Sequence, residues 1–489
     1  MDYSAIYPEI ILALFAIAIP AVSMLVKDSK FLAAVSLAGV GLSMLAVIMH
    51  FVDGSGPAVF DNGLLVLDDF SGLFMMVFLS VAFIVILASA KFVENDKHVA
   101  EYYTLILLAT VGMLLVAAST DLFVLYIGIE ITSISSYALV GFRKKDIKGA
   151  EAATKYFIFG GLSSAFTLFG ISLIYGLTGL AGDPTTSFEG IGTAVATLGD
   201  YQEMLWAALV MVIVGFGFKV AMVPFHAWAP DVYEGAPSTI TSLLAAGSKK
   251  MGFVAMFKFF LLAMVAIKAD WEIVVGILAI ITMTIGNLAA LNQTNIKRML
   301  AYSSIAQAGY ILIAIAVGTE YAVTGGIFHI LTHAFMKGGA FIVVATLATV
   351  AIGERIADYK GLAKRSNFMA FSMTVLLFSL AGIPPLAGFA SKVVLFSSPI
   401  QGGVSGADWM IWLAVAGIIN SAISLYYYAR VVKYMYVDEL DEGASAEKLK
   451  LPRSMAAAVA ICVVAVIAIG VYPQLFVDFC REAATALFA

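Results

Sequence analysis

The sequence predicts an all-α polytopic membrane protein with about 14 transmembrane helices. Three observations lead to this prediction. Of the 489 residues, 62% are hydrophobic and 12% are charged, whereas ordinary soluble domains contain about 25% charged residues. The apolar residues form 14 runs, each close to the roughly 20 residues that a helix needs to cross a bilayer. Lys and Arg are concentrated in alternate loops, which fixes the orientation of a membrane protein.

Each apolar run is bounded by charged residues or by clusters of Gly and Pro, which separate membrane helices. The runs cover residues 7–26, 31–52, 70–90, 101–118, 121–141, 151–178, 203–223, 238–263, 272–291, 298–318, 322–349, 368–397, 409–430 and 454–477. We predict three N-terminal helices in 1–98, a five-helix repeat in 99–268, a second and inverted five-helix repeat in 269–437, and a cytoplasmic loop with helix 14 in 438–489.

The positive charges predict the orientation of the chain. Nineteen of the 28 Lys and Arg residues fall in loops on one side of the predicted membrane, whereas only Lys268 and Arg481 fall on the other. By the positive-inside rule, both termini face the outside of a bacterial or archaeal cell membrane. The net charge of -5 gives no basic surface for nucleic acid. The two cysteines form no metal-binding or iron–sulfur motif, so redox cofactors are expected on other chains.

Seven lysines remain inside the predicted spans, where one at the bilayer centre costs about 2.5 to 3.5 kcal/mol. They are Lys155, Lys219, Lys249, Lys250, Lys258, Lys337 and Lys392. For Lys155 and Lys258 we favour an amine that reaches the membrane surface from a helix end. For the others we expect positions inside the bundle, along a water-filled path. Lys249 and Lys250 point about 100° apart on a helix, so we expect only one of them to face this path.

Glu130 is the acidic group best placed to meet one of these lysines. It lies nine residues after Asp121, which puts it about 14 Å deep in its helix. A buried carboxylate and a buried amine both stay charged when they face each other, so we predict a Glu130–Lys219 pair. A static ion pair that holds helices together is the alternative. Such pairs add little stability, however, and the surplus of buried amines favours stepwise proton transfer.

A second group of ionisable residues, His329, His333 and Lys337, lies in the eleventh run. Spacing of four places the three side chains on one stripe of a helix. Imidazole both donates and accepts protons near neutral pH, so the stripe is suited to carrying protons. Zinc is a competing interpretation for His329 and His333. No third ligand or H-E-x-x-H motif accompanies them, and we predict no metal site.

Two predicted helices are interrupted by proline at corresponding places, in 221–227 and 381–387. Proline frees backbone groups, which at membrane depth are tolerated only against protein or a wet cavity. Paired breaks in two halves of a chain point to a transport site. The breaks fall in the seventh and twelfth spans, and this odd offset reverses direction across the membrane. The pattern therefore predicts the two inverted repeats.

Several motifs carry a resemblance to a known family. They are Leu122–Glu130, Phe218–Asp231, Gly235–Pro237 with Ser248 and Lys249, and Leu300–Ile305 with Gly309 and Tyr310. The chain resembles the antiporter-like subunits of respiratory complex I and of Mrp cation/proton antiporters. Glu151–Phe157, Ser163–Phe166 and Tyr233–Pro237 resemble subunit N. The stripe from His329 to Lys337 instead resembles subunits L and M or Mrp antiporters. A divergent N subunit, such as one from an archaeal complex that oxidises reduced deazaflavin and reduces a phenazine, reconciles both resemblances.

The resemblance implies a role for each site residue. Glu130 and Lys219 match the glutamate and lysine that gate the first half-channel, Lys249 matches the lysine that links the halves, and Lys392 matches the position leading to the outer exit. His329, His333 and Lys337 complete the expected proton path. Asp231 and Glu234 lie on loops of the basic side, where they either assist proton uptake or form an ordinary solvated turn.

The expected protein is thus a proton-translocating subunit without a cofactor of its own. The resemblance implies flavin and iron–sulfur clusters on a peripheral redox arm, NADH or reduced deazaflavin as donor, and quinone or phenazine as acceptor. It also implies neighbouring membrane subunits of the M-, L-, K-, J-, A- and H-like types. Three alternatives remain open: a subunit of an Mrp-type antiporter, a self-contained solute or sodium carrier, and a structural membrane scaffold.

Overall fold

The computed structural model of the chain describes residues 2–54, 56–199, 202–404, 407–440 and 447–489, and these are almost entirely helical. The helices of the first half are α1 (Tyr7–Leu25), α2 (Ser29–Val52), α3 (Asp69–Phe92), α4 (Val99–Ala118), α5 (Leu122–Val140), α6 (Ile147–Ala181), α7 (Phe188–Val195), α8 (Gln202–Val220), α9 (Trp228–Gly235), α10 (Ser238–Leu243) and α11 (Lys249–Lys258). Two short strands, β1 (Ala58–Phe60) and β2 (Leu65–Leu67), form an antiparallel hairpin.

Among the described residues, the second half continues with nine α-helices. They are α12 (Lys268–Leu291), α13 (Ile296–Val317), α14 (Glu320–Thr349), α15 (Leu362–Arg365), α16 (Asn367–Ala381), α17 (Ala387–Val404), α18 (Ile411–Tyr436), α19 (Arg453–Val471) and α20 (Pro473–Phe488). The last of these corrects the sequence prediction, which ends helix 14 at residue 477. Pro473 starts a new helix there, because proline is favoured in a first helical turn.

Twelve helices in the described part of the chain are long and apolar enough to cross a membrane. They match twelve of the predicted runs. The other two runs are helical as well, but each is interrupted. Residues 238–263 contain π-helical turns at Leu244–Ser248 and Phe259–Ala263, and 368–397 is divided between α16 and α17. The total of 14 spans and the division into inverted repeats stay predictions.

The centre of the bundle is formed by α13, α14 and the segment from α10 to α11. The most apolar stretches of α13 and α14 are 94% and 89% buried, against 33% in α6, whose side chains face outward. Small residues bring the central helices close together, as in many membrane proteins. At Gly286 of α12, a Cβ atom would lie 2.5 Å from the backbone nitrogen of Ala306 in α13. Polar side chains of α11, α13 and α14 are therefore held away from lipid.

The two broken helices have the same backbone pattern. Ala221 and Gly382 both adopt left-handed conformations, with φ of 54° and 93°. In each case the next amide, that of Met222 or Ile383, donates to a carbonyl five residues earlier. This hydrogen-bond pattern makes Ala221 equivalent to Gly382. The sequence alignment at an offset of 160 residues makes Ala221 equivalent to Ala381 instead. The backbone correspondence is shifted by one residue, which prolines at neighbouring positions conceal in the sequence.

Cations from elsewhere in the chain cap the C-terminal ends of several helices. Lys258 donates to the carbonyls of Ala117 and Ser119 at the end of α4, and Arg430 donates to Leu291 and Gln293 at the end of α12. Lys268 and Lys297 do the same for α13 and α9. The last carbonyls of a helix lack intrahelical partners and carry partial negative charge. These cations therefore stabilise helix ends.

An ion network surrounds Asp231 on α9. Its carboxylate accepts from Lys155 of α6 at 2.7 Å and from Arg298 of α13 at 2.8 Å. Burial alone would raise the pKa of Asp231, but these hydrogen bonds outweigh it and hold the pKa below its ordinary value. The resulting stabilisation is present above the ordinary carboxyl pKa and is lost as pH falls through the lowered pKa. Lys155 is 38% exposed, which agrees with the prediction that its amine reaches the surface.

We expect Asp231→Asn to destabilise the protein by about 1 kcal/mol or less, because the network is partly solvated. A thermal melt of the purified protein measures this change, and the expected proton transfer should remain at the wild-type level. Glu151→Gln, which removes an exposed partner of Lys155, is the control. Loss of pumping with an unchanged melting temperature would contradict the structural role and favour the alternative in which Asp231 assists proton uptake.

Candidate functional site

The predicted site residues of the first half lie around one small polar cavity. Glu130 of α5 accepts a hydrogen bond from Ser164 of α6 at 2.6 Å. Lys219, in the last turn of α8, donates to Ser133 of α5 at 2.8 Å. The four side chains line a cavity of about 20 Å³, enough for roughly one water molecule.

Glu130 and Lys219 thus share one cavity, as predicted for a facing pair, but they are not in direct contact. Each charged group contacts a serine hydroxyl, and no ion pair joins the two. The cause is the rotation of α5, which points Glu130 toward α6 and Ser133, three residues later, toward α8. Ser133 accepts from Lys219 and donates to the carbonyl of Ile129, whereas Ser164 donates to Glu130, so each charged group has a hydroxyl neighbour that both donates and accepts.

Two adjacent serines of α13 serve the next two lysines. Lys249 of α11 lies 3.3 Å from the hydroxyl of Ser304 and 5.8 Å from the ring centre of Tyr233. Lys337 of α14 donates to the hydroxyl of Ser303 at 2.6 Å. Ser303 also contacts the hydroxyl of Tyr428 in α18. Both lysines are almost completely buried, so α13 supplies the polar contacts that the apolar interior lacks.

A connected set of hydrogen bonds links the histidine stripe to Lys392. The ring nitrogens of His329 contact Ser391 at 3.0 Å and Gln307 at 2.8 Å. Gln307 also donates to the carbonyl of Leu380 at 3.2 Å. The same carbonyl accepts from Lys392 at 2.8 Å, and Ala381 accepts from it at 3.0 Å. The break between α16 and α17 thus exposes two carbonyls that hold the Lys392 ammonium, as unwound helices do in transporters.

His333 lies on α14 between His329 and Lys337 and has no hydrogen-bond partner in the protein. Its two ring nitrogens make no hydrogen bond, and its ring centre lies 6.1 Å from that of His329. We call the seven ionisable side chains that were predicted to carry protons the central polar row. The row consists of Glu130, Lys219, Lys249, Lys337, His333, His329 and Lys392. The structure places all of them in the interior or at its edge, whereas their roles in proton transfer stay predictions.

Two further lysines from the sequence analysis, Lys250 and Lys258, lie in α11. Lys258 is 5% exposed, and its ammonium lies at the C-terminal end of α4, where it caps the helix. Lys250 and Lys249 both lie in the interior, at 0% and 1% exposure, and the expectation that only one of them faces the path stays a prediction. Both are buried because α11 is surrounded by protein on all sides. Rotation about its axis therefore does not select between a polar and a lipid face.

Sequence reasoning missed several polar groups that connect the row. They are Ser133, Ser303, Gln307 and Tyr428. Uncharged residues cost little in a membrane helix, so they do not stand out as the lysines do. A usable signal was the spacing of Ser303 and Gln307. They lie four residues apart in the predicted span 298–318, and residues four apart share one face of a helix.

The structure gives little support to a metal at the histidines. Both nitrogens of His329 are engaged with Gln307 and Ser391. Within the described ranges, no group of three or more His, Cys, Asp or Glu side chains is arranged to hold a metal ion. Proton transfer is the chemistry that fits amines, imidazoles and hydroxyls in contact.

We expect Gln307→Leu to interrupt the connection between His329 and Lys392. The substitution leaves a buried imidazole nitrogen without a partner, which costs about 1 to 3 kcal/mol. The proton-to-electron ratio of the intact complex, measured in vesicles, should fall, while assembly is retained. Gln293→Leu is the matched control, because Gln293 donates only to a carbonyl at the end of its own helix. A wild-type ratio for Gln307→Leu would show that protons bypass this link.

The chain is similar in sequence and fold to known proteins. Residues 119–424 match the family described as NADH:quinone oxidoreductase/Mrp antiporter, TM. The chain is 47% identical to F(420)H(2) dehydrogenase subunit N of Methanosarcina mazei over 430 residues, covering 86% of this chain and 84% of that one. It is 40% identical to NADH-quinone oxidoreductase subunit N of Trichlorobacter lovleyi, covering 99% and 97%. A chain of respiratory complex I from Thermus thermophilus superposes with a TM-score of 0.77 at 30% identity, covering 96% and 98%.

Proposed function

Because this chain belongs to the NADH:quinone oxidoreductase/Mrp antiporter family, we propose that it is the N-like subunit of a complex that oxidises a reduced deazaflavin of the F(420)H(2) type. It is a multi-pass membrane protein and a proton-translocating membrane-arm subunit of a complex I-type oxidoreductase. The donor assignment is supported by the higher identity to the F(420)H(2) dehydrogenase subunit than to the NADH-quinone oxidoreductase subunit.

One structural observation supports proton transfer best: buried ionisable groups and hydroxyls cross the centre of the bundle from Glu130 to Lys392. In the proposed mechanism a proton reaches Glu130 and passes through Ser164, Ser133 and the small cavity to Lys219. It then continues along the row to Lys392. Amines, imidazoles and hydroxyls each accept a proton before releasing another, so no step requires a cofactor on this chain.

The free energy for this transfer comes from electron transfer elsewhere in the complex. Moving one charge against 100 mV costs about 2.3 kcal/mol. Loss of one hydrogen bond to a charged group costs about 1.5 to 3 kcal/mol. Breaking and remaking the Lys219–Ser133 contact therefore changes energy on the scale of the work required. A shift of α8 at its break is sufficient to change this contact, since Lys219 lies two residues before Ala221.

The proposal includes the remaining parts of the complex. Related structures are multi-subunit assemblies, and we assign M-, L-, K-, J-, A- and H-like neighbours in the membrane. Flavin and iron–sulfur clusters belong to a peripheral redox arm, and the acceptor is a membrane phenazine or quinone. The complex lies in the cell membrane, with both termini of this chain on the outer face.

The alternatives differ in what they leave unexplained. A structural scaffold does not require so many buried amines in its interior. Sodium prefers oxygen ligands, whereas the centre of this bundle is dominated by lysine and histidine, which disfavours a sodium carrier. An Mrp-type antiporter remains the main competitor, because the same family includes such subunits.

Purification of the complex that contains this chain tests the proposal. We expect co-purified flavin and iron–sulfur subunits, oxidation of the reduced deazaflavin, and acidification of vesicles during turnover. Oxidation of NADH but not of deazaflavin would overturn the donor assignment alone. A complex without redox subunits that exchanges sodium for protons would replace the proposal with the Mrp-type alternative.

A further inference from the structure

Two buried basic side chains in the interior, Lys250 and His333, lack a hydrogen-bond partner in the protein. The Nζ atom of Lys250 and both ring nitrogens of His333 make no hydrogen bond with a protein group, although both residues are 0% exposed. Lys249 and Lys337, in contrast, contact serine hydroxyls. Buried polar groups without partners are rare and costly in folded proteins. The pair therefore requires a physical explanation.

The position of Lys250 brings it close to the central polar row. It follows Lys249 directly after the π-helical turn Leu244–Ser248, and such turns are frequent at functional sites. Its amine lies within electrostatic range of Lys249, Lys337 and the rings of His329 and His333. The described contact of the amine itself is with the Phe253 ring, whose centre is 5.6 Å away.

The surrounding charges argue against a static ion pair. In the described ranges, the fully buried acidic side chains are Glu9 and Asp121, both in the first half of the chain. The groups that face Lys250 are amines and imidazoles, which repel it when they are charged. A permanent ammonium at this position would be neither paired nor hydrogen bonded to protein. A group that gains and loses a proton fits the site better than a fixed charge.

We propose that Lys250 forms a branch of the central polar row at His333 and holds a proton in exchange with Lys249 and Lys337 through bridging water. The inference rests on the function proposed above and adds a residue to it. An ammonium of Lys249 or Lys337 gives its proton to the free nitrogen of His333. The other ring nitrogen then releases its own proton to the lone pair of the Lys250 amine. One positive charge moves, and no bond between heavy atoms changes.

The branch has a consequence for the timing of proton transfer. A proton on Lys250 repels a second proton on Lys249 or Lys337, because the interior contains no carboxylate near them to offset the charge. Arrival of the next proton from Lys219 therefore favours release of the earlier one toward His329 and Lys392. The branch lets the central polar row hold at most one proton in its middle section.

The test uses two substitutions of Lys250 in the intact complex. Arginine keeps the positive charge but cannot release its proton, whereas methionine keeps most of the volume and removes the charge. We expect both variants to slow proton transfer through this chain at least about tenfold, below the effect of roughly a hundredfold that a positioned proton-transfer group typically has. The proton-to-electron ratio in vesicles reports this loss, and native gel electrophoresis reports assembly.

Lys258→Met is the matched control, because it removes a buried lysine of the same helix that caps α4 and lies outside the row. An assembled Lys250→Met complex with a wild-type ratio would overturn the proposal. Rescue by Lys250→Arg would also overturn it, since a fixed charge would then suffice. If Lys250→Met fails to assemble, Lys250→Gln replaces it, with the same outcomes.

A double variant and a reference variant separate this inference from the proposed function. Combining Lys250→Met with His333→Asn should be no worse than either change alone, and additive losses would contradict a shared branch. Lys219→Met serves as the reference. If Lys219→Met stops pumping but the Lys250 variants do not, only the branch fails. If all of these variants pump normally, the proposed function itself fails.

Discussion

Lys219→Met is expected to stop proton transfer through this chain while leaving the complex assembled. Lys219 is 5% exposed and its ammonium contacts the Ser133 hydroxyl. Methionine has a similar volume, so the substitution removes the charge without opening the cavity that alanine would leave. Loss of a hydrogen bond to a charged group costs about 1.5 to 3 kcal/mol, and each 1.36 kcal/mol corresponds to about tenfold in rate.

The measurement compares proton uptake with electron transfer in the same vesicles. We expect the proton-to-electron ratio to fall by the share that this subunit contributes. Lys258→Met, which also removes a buried lysine, should keep the wild-type ratio despite a lower melting temperature. An assembled Lys219→Met complex with normal pumping and normal electron transfer would rule out the mechanism. Normal electron transfer with failed assembly in every row variant would favour the scaffold.

Lys337→Met is expected to have an equally large effect from the other half of the chain. Lys337 is 0% exposed and is hydrogen bonded to Ser303 and to the carbonyl of Leu300. Its removal leaves the contacts of Glu130 and Lys219 intact, so any loss of pumping arises downstream of them. We expect at least about a tenfold decrease in proton transfer, since the next ionisable group on the path then has no amine donor.

Combining Lys337→Met with Lys219→Met distinguishes one path from two. If the row is continuous, the double variant pumps as poorly as each single variant. If each half has its own channel, each single variant keeps part of the proton flux and the double variant loses both parts. Ser372→Ala, which removes a buried hydroxyl of α16 that makes no hydrogen bond with protein, is the control for a polar deletion outside the row.

The membrane helices were largely predictable from the sequence because lipid imposes a strong rule. A span needs an uninterrupted apolar run, and charges end it. Prolines also revealed the two breaks, near Ala221 and Gly382. The end of helix 14 was misplaced because α20 continues the apolar pattern after Pro473. The offset between the breaks was misjudged by one residue because neighbouring prolines permit either alignment.

The position of each charged residue along its helix was predictable, but the direction of its side chain was not. Counting residues gives the height of Glu130 along α5, whereas its neighbour depends on how α5 is rotated against α6 and α8. This rotation is decided by packing, which left serines between Glu130 and Lys219. The same limit applies to Lys250, because its surroundings depend on how many helices enclose α11. The uncharged Gln307 gave no signal of its own.

The capped helix ends have a consequence for biosynthesis. The cation that caps α4 lies 141 residues after Ala117, and the cation that caps α12 lies 139 residues after Leu291. A growing chain therefore inserts both helices long before the ribosome has made the residues that complete them. Products that stop before Lys258 leave the end of α4 uncapped and should be cleared quickly by membrane proteases. The capping of these two helix ends therefore depends on residues that are synthesised much later than the helices themselves.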